Sequence, residues 1–184
     1  MESIEVLRRE HRLIEKVIGV LNGIVRSMEG GEEPPVERIK KIVRFSKVFI
    51  DRCHHGKEET CLFPCLEKRG IRREGGPIGV MLEEHEMGRT LVRQIEESLN
   101  QSQIGNRQSE IRDRLLSLCS KYVRLLTQHI FKEDNVLFQM TVNHMNDDDD
   151  RQTLKGYDRV EEERVGPGIH DEMHRLSEEI IQHR

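Results

Sequence analysis

The chain has 184 residues, 35% of them charged, with a formal net charge of −4 and no tryptophan. That length suits one domain with a full core, and the small net charge with interspersed signs excludes the basic stripe of a nucleic-acid binder and the polybasic cluster of a membrane-surface protein. No apolar run approaches the roughly 20 residues that cross a bilayer, and Met1-Glu2-Ser3-Ile4-Glu5 lacks a secretion signal, so the cytoplasm is the expected compartment.

Ile4, Leu7, His11, Ile14, Ile18, Leu21, Val25 and Met28 recur at steps of three and four, which predicts a first helix from about Ser3 to Met28. One position of that stripe is polar. A histidine in an apolar row needs a partner or costs free energy, so His11 is the first candidate ligand. Gly30-Gly31 ends the helix, and Pro34-Pro35 prepares a second from about Val36 to Arg69, with Ile39, Val43, Ile50, His54, Glu58, Cys61 and Cys65 on one face. Gly70 stops it. Pro77 opens a third helix to about Leu99, with Ile78, Met81, His85, Gly88, Val92, Ile95 and Leu99 inward. A polar turn near Gly105-Asn106 leads to a fourth, about Ser109 to Met140, whose inward row is Leu115, Cys119, Tyr122, Leu126, His129, Glu133, Val136 and Met140.

The run Asp147-Asp148-Asp149-Asp150 reads as a solvated acidic turn, and a short last helix from about Pro167 sets Ile169, Met173, Leu176 and Ile180 against the rest. The expected class is all-α: an up-down-up-down four-helix bundle over 1–145, then an acidic loop and a C-terminal helix over 146–184. Cys53, Cys61, Cys65 and Cys119 show no zinc-finger spacing and read as reduced thiols in the core, with a second site or a redox role for Cys61 and Cys65 as the other reading.

The segment His54-His55-Gly56-Lys57-Glu58-Glu59-Thr60-Cys61-Leu62-Phe63 returns as His129-Ile130-Phe131-Lys132-Glu133-Asp134-Asn135-Val136-Leu137-Phe138, so His-x-x-x-Glu followed by Leu-Phe occurs twice. A step of four places imidazole and carboxylate on one helical face, within reach of a shared ion. His11 and His54 stand 43 residues apart and His85 and His129 stand 44 apart, as in two antiparallel hairpins stacked with their ligands at one height. The inward polar set is His11, His54, Glu58, His85, His129 and Glu133. Two carboxylates buried without a cation would be costly. Mixed imidazole and carboxylate donors suit iron, or manganese in its place, where all-oxygen sites suit magnesium or calcium and thiolates suit zinc. Two irons bridged by both glutamates and an oxo or hydroxo group would each take two histidines and keep about one octahedral position for dioxygen, peroxide or nitric oxide.

From about Ile4 to Met140 this pattern resembles the hemerythrin-like HHE cation-binding proteins, which hold a non-haem diiron centre in a four-helix bundle. The resemblance rests on His11 in the first helix, His54 and Glu58 in the second, His85 in the third, and His129 with Glu133 in the fourth. His54-His55-Gly56-Lys57-Glu58-Glu59 and Glu84-His85-Glu86-Met87-Gly88-Arg89 also look like this family. Oxygen-carrying members have His-x-x-x-His in the third helix, and Arg89 stands here where the second histidine would be. On that count the resemblance implies turnover, in the form of peroxide decomposition or another oxidative or nitrosative defence. The alternative it implies is an oxygen or redox sensor, a reversible dioxygen binder or an iron donor. Its partners would be small diatomic ligands or peroxide.

Several choices stay open in the sequence. Asp134 competes with Glu133, because carriers use a step of five, and His55 competes with His54; the internal repeat favours Glu133 and His54. His170 and His174 stand one turn apart in the tail, where one could take an open iron position or both could cap a surface helix. Arg89 is a solvated residue or a partner of a bridging carboxylate, and Tyr122 is a core residue or a donor near bound oxygen.

Overall fold

The computed structural model is described for residues 1–101 and 108–182, and among these six helices and no strand occur. α1 is Glu2–Glu29. α2 covers 36–68, beginning as an α-helix at Val36–Phe45, winding as a π-helix at Ser46–His55 and Glu58–Leu62, and finishing at Phe63–Lys68. α3 is Pro77–Gln101, and α4 covers 108–144 with a π-helical turn at Glu133–Leu137. α5 covers 147–165 and α6 is Ile169–Gln182. The turn expected near Gly105-Asn106 lies outside the described residues.

The first four helices form the all-α bundle that the periodicity predicts, with α4 lying along both α1 and α3. Gly31 and Gly70, at φ of 100° and 90°, take the left-handed conformation after α1 and α2 that a side chain would oppose. Two apolar clusters result. One contains Ile14, Leu21, Met28, Phe45, Phe49, Ile95, Leu115 and Leu126; the other contains Leu7, Leu62, Phe63, Ile78, Leu137, Phe138 and Tyr157. Each buried large side chain contributes about 1.5–3 kcal/mol. Between the clusters lies a layer of buried histidines and glutamates.

Where the helices widen into π-turns, the inward rows depart from a 3.6-residue period. A π-turn inserts a residue, so the buried face moves on by one position. Val136, expected inward, is 50% exposed while Leu137 and Phe138 are buried; Cys61 and Cys65 are half-buried while Leu62, Phe63 and Leu66 fill the core.

The acidic run is not a solvated turn. Asn146 caps α5 through the amides of Asp148 and Asp149, and Asp149 returns a bond from the Asn146 amide. Four carboxylates in a first turn also suit the positive end of a helix. Asp150 does more than start α5: its oxygens accept from the backbone amides of Glu2 and Ser3, both at 3.0 Å, and so cap α1 from 147 residues away. The tail therefore has two helices rather than one. α5 presses Gly156 so closely on α2 that a Cβ there would sit 2.6 Å from Cys61 Sγ. α6 places Met173, Leu176 and Ile180 on the first apolar cluster, the face its sequence predicts.

Candidate metal centre

Helical phase turns six of the predicted ligands into the layer between the clusters. His11 comes from α1, His54 and Glu58 from α2, His85 from α3, and His129 and Glu133 from α4, all buried. His11 Nε2 lies 3.0 Å from His54 Nε2 and 3.2 Å from Glu133 Oε2. On the other side His129 Nε2 lies 3.2 Å from His85 Nε2 and 3.3 Å from Glu133 Oε2. Glu58 spans both pairs, with Oε1 3.7 Å from His54 Nε2 and Oε2 3.5 Å from His85 Nε2.

The outer face of each ring is held by one repeated device. His11 Nδ1 donates to Asp134 at 2.9 Å, His54 Nδ1 to Glu10 at 2.8 Å, His85 Nδ1 to Glu59 at 2.7 Å and His129 Nδ1 to Glu84 at 2.9 Å. A cation grips each carboxylate in turn: Arg12 holds Asp134, Lys57 holds Glu10, Arg89 holds Glu59 and Lys132 holds Glu84. An ionised carboxylate only accepts, so each Nδ1 carries a proton, and a ring that holds no second proton turns its Nε2 lone pair inward.

Lone pairs then face lone pairs. None of the four carboxylate oxygens of Glu58 and Glu133 finds a hydrogen-bond partner, although both residues are fully buried. A buried acceptor left in that state costs about 1–3 kcal/mol, and more if charged. A cation in the layer turns this repulsion into coordination, so the donor set fits a metal. Protons gather where it would bind. Burial alone would lower the pKa of His11, but Asp134 and Glu133 outweigh it and raise it to about 9. Burial and the charge of Glu133 push the Glu58 carboxyl well above the usual range. At Glu133 burial is outweighed by His129 and His11, and that carboxyl is held low.

Sequence spacing ranks His54 above His55, yet the structure buries both. His55 stacks on His85 with ring centroids 3.7 Å apart, and neither of its ring nitrogens has a hydrogen-bond partner. Its ligand atom and those of Glu58, His85 and His129 all lie within 4.8 Å of one another, as do those of His11, His54, Glu58 and Glu133. These are two groups that could each hold a metal ion, and they share one carboxylate, Glu58. π-helical winding over Ser46–His55 accompanies the inward turn of two consecutive histidines. Arg89 lies behind the second group. It donates to Asp51 at 2.7 Å and to Glu59 at 2.6 Å, and does not reach the shared Glu58 or Glu133. Asp51 Oδ1 is 3.7 Å from His55 Nδ1, so one arginine steadies the carboxylates behind two imidazoles of one group.

Residues 2–141, which contain every side chain of the two groups, match the sequence profile of the hemerythrin HHE cation-binding domain. The chain belongs to that family. Relatives of this hemerythrin-like chain include a protein of Mycobacterium bovis and proteins of two Mycobacterium tuberculosis strains, each described as uncharacterized. Each is 23% identical over 162 residues, which make up 88% of this chain and 62% of the relative. The chain thus spans less than two thirds of the length of the relatives it matches.

Other candidates fall outside this hemerythrin-type cluster. Asp134 supports His11 from the outer side, while Glu133 faces inward. His170 comes together with Glu10, Cys53 and Glu161 rather than with either metal group, and Lys57 pairs with both Glu10 and Glu161 there. His174 meets Phe49 edge-on. Tyr122 is buried beside His55 and Arg89 in a cleft of about 300 Å³, where burial pushes its hydroxyl pKa up. All four cysteines are free. Glu10, Glu59 and Glu84 are supports that spacing did not single out, although Glu10-His11 and Glu84-His85 form a repeated pair. No helix among the described residues is long and apolar enough to cross a membrane.

Proposed function

We propose that the chain holds two non-haem irons joined by an oxo or hydroxo bridge, and that it decomposes hydrogen peroxide. The observation that carries this reading is the pair of buried ligand groups sharing Glu58, with inward imidazole nitrogens and four carboxylate oxygens that have no other partner. Imidazole mixed with carboxylate favours iron over magnesium, calcium or structural zinc. His11 and His54 would serve one ion, His55, His85 and His129 the other, and Glu58 and Glu133 both.

With His55 included, the imidazoles divide three and two. His55 of the second helix would supply an imidazole where Arg89 leaves the third helix without one, and the ion served by His11 and His54 would have one protein donor fewer. Bound iron supplies an open coordination position together with alternation between ferrous and ferric states. The chain holds the rings oriented through their Nδ1 contacts, and shields them with Phe138 stacked on His11 and Phe63 stacked on His85. Peroxide decomposition closes its own electron balance: two H2O2 give two H2O and one O2, so no external donor is required.

The test is oxygen release from peroxide by the iron-loaded protein, expected to exceed that of an equal amount of free iron by at least about tenfold; release equal to free iron would exclude turnover. A second reading, reversible dioxygen or nitric oxide binding or sensing without turnover, is favoured by the three-to-two division, which matches the carrier pattern more closely than four imidazoles do. His55→Leu separates the ligand assignments. The variant is expected to lose the ion of its own group about 10–100-fold more readily and to keep the other. Equal retention of both ions, read as metal content after chelator challenge, would remove His55 from the ligand set.

A further inference from the structure

Three of the four imidazole supports end within the bundle, and the fourth does not. Arg12 of α1 holds Asp134, Arg89 of α3 holds Glu59, and Lys132 of α4 holds Glu84. Lys57, which holds Glu10 behind His54, is fully buried and has a second anion, Glu161 Oε1 at 2.5 Å. Glu161 lies in the π-turn of α5, beyond the 2–141 segment that matches the family. A buried ammonium between two carboxylates is placed by both of them. The chain Glu161–Lys57–Glu10–His54 therefore runs from the tail to a ring nitrogen opposite the metal-facing one, each link a direct contact.

We infer that Glu161 is a positioning residue for one of the two metals: through Lys57 and Glu10 it sets the orientation of His54, so the docked tail controls the ion that has one protein donor fewer. This rests on the two-metal reading above. The supports of the other ion, on Arg89 and Lys132, lie outside this chain of contacts. Packing of α5 is a separate matter. It depends on Val160, which meets Gly56, and on Gly156 against Cys61, and neither contact belongs to the chain of polar links.

The test uses the full chain loaded with iron, with each ion followed by Mössbauer spectroscopy during challenge with a chelator. Glu161→Ala is expected to speed loss of the His11 and His54 ion about 10–100-fold while the second ion leaves at the wild-type rate. Glu161→Asp is expected to restore most of the retention. Val160→Ala, which trims one apolar contact of α5 but leaves Glu161 on Lys57, should leave both ions as in wild type, and Lys132→Ala should release the opposite ion first. Loss of both ions together in Glu161→Ala, loss of neither, or the same effect from Val160→Ala overturns the inference. Wild-type protein that retains no metal overturns the two-metal reading itself.

Discussion

Replacing Glu58 by Gln is expected to abolish loading of both ions and, in the metal-free protein, to raise thermal stability. Glu58 is the only carboxylate found in both ligand groups, so an amide in its place removes an anionic donor from each at once. Stability moves the other way because the metal-free site is in conflict with itself. Burial and the charge of Glu133 raise the folded pKa of Glu58. A raised folded pKa means that its contribution is fully present below the unfolded value of about 4.5 and is lost as pH rises through the folded one. At neutral pH the wild-type apoprotein is therefore on the losing side, and glutamine, which needs no proton, is not. A gain of at least about 1 kcal/mol is expected, about 2–4 °C in Tm for a chain of this size. Calorimetry of chelator-treated protein between pH 5 and 8 checks it: the two curves should diverge as pH rises. A Glu58→Gln apoprotein less stable than wild type across that range would show that the carboxylate is satisfied without metal. The same protons make loading pH-dependent. His11, raised to about 9, must release its proton to bind a metal, so affinity should fall as pH is lowered.

Lys57→Met is expected to cost about 3–5 kcal/mol, the largest single loss outside the ligands, because it leaves a buried carboxylate without its cation. Glu10 is held down to a pKa of about 2: burial opposes ionisation, but bonding from His54 and the charges of His54 and Lys57 outweigh it. A lowered folded pKa stabilises above the unfolded value and loses that effect as pH falls from about 4.5 toward 2. Without Lys57 part of that lowering disappears. The companion Glu10→Leu, combined with Lys57→Met, removes both charges at once and should recover a large part of the loss. Chemical denaturation of the metal-free proteins measures it. If the single Lys57→Met change costs under about 1 kcal/mol, water has taken the place of the ammonium.

The bundle is readable in the sequence because four long segments keep a helical period and are bounded by Gly31, Gly70 and Pro77. Four of the six central side chains are readable because His-x-x-x-Glu is written twice, and His11 and His85 because each interrupts an apolar row. His55 is not. Its inward turn comes with π-helical winding in α2, a backbone feature that no 3.6-residue count contains, and the same shift of phase moves Val136 outward and Cys61 to the margin. α5 was hidden for another reason. Four adjacent aspartates repel one another in isolation, and only the folded chain supplies Asn146 as a cap, Arg69 for Asp149 and the amides of α1 for Asp150. The outer supports left a signal that spacing alone did not interpret: Glu-His before each central pair, and a lysine three residues after His54 and His129.

Among its imidazoles that doubled plan breaks at one place. The residue that corresponds to His55 in the other hairpin is Ile130, so one half of the cluster carries a nitrogen donor for which the other half has only hydrocarbon. Two irons held by such a set would have unequal reduction potentials, and a single added electron would settle on a preferred side. The polarity of that mixed-valence state would then rest on one side chain, His55.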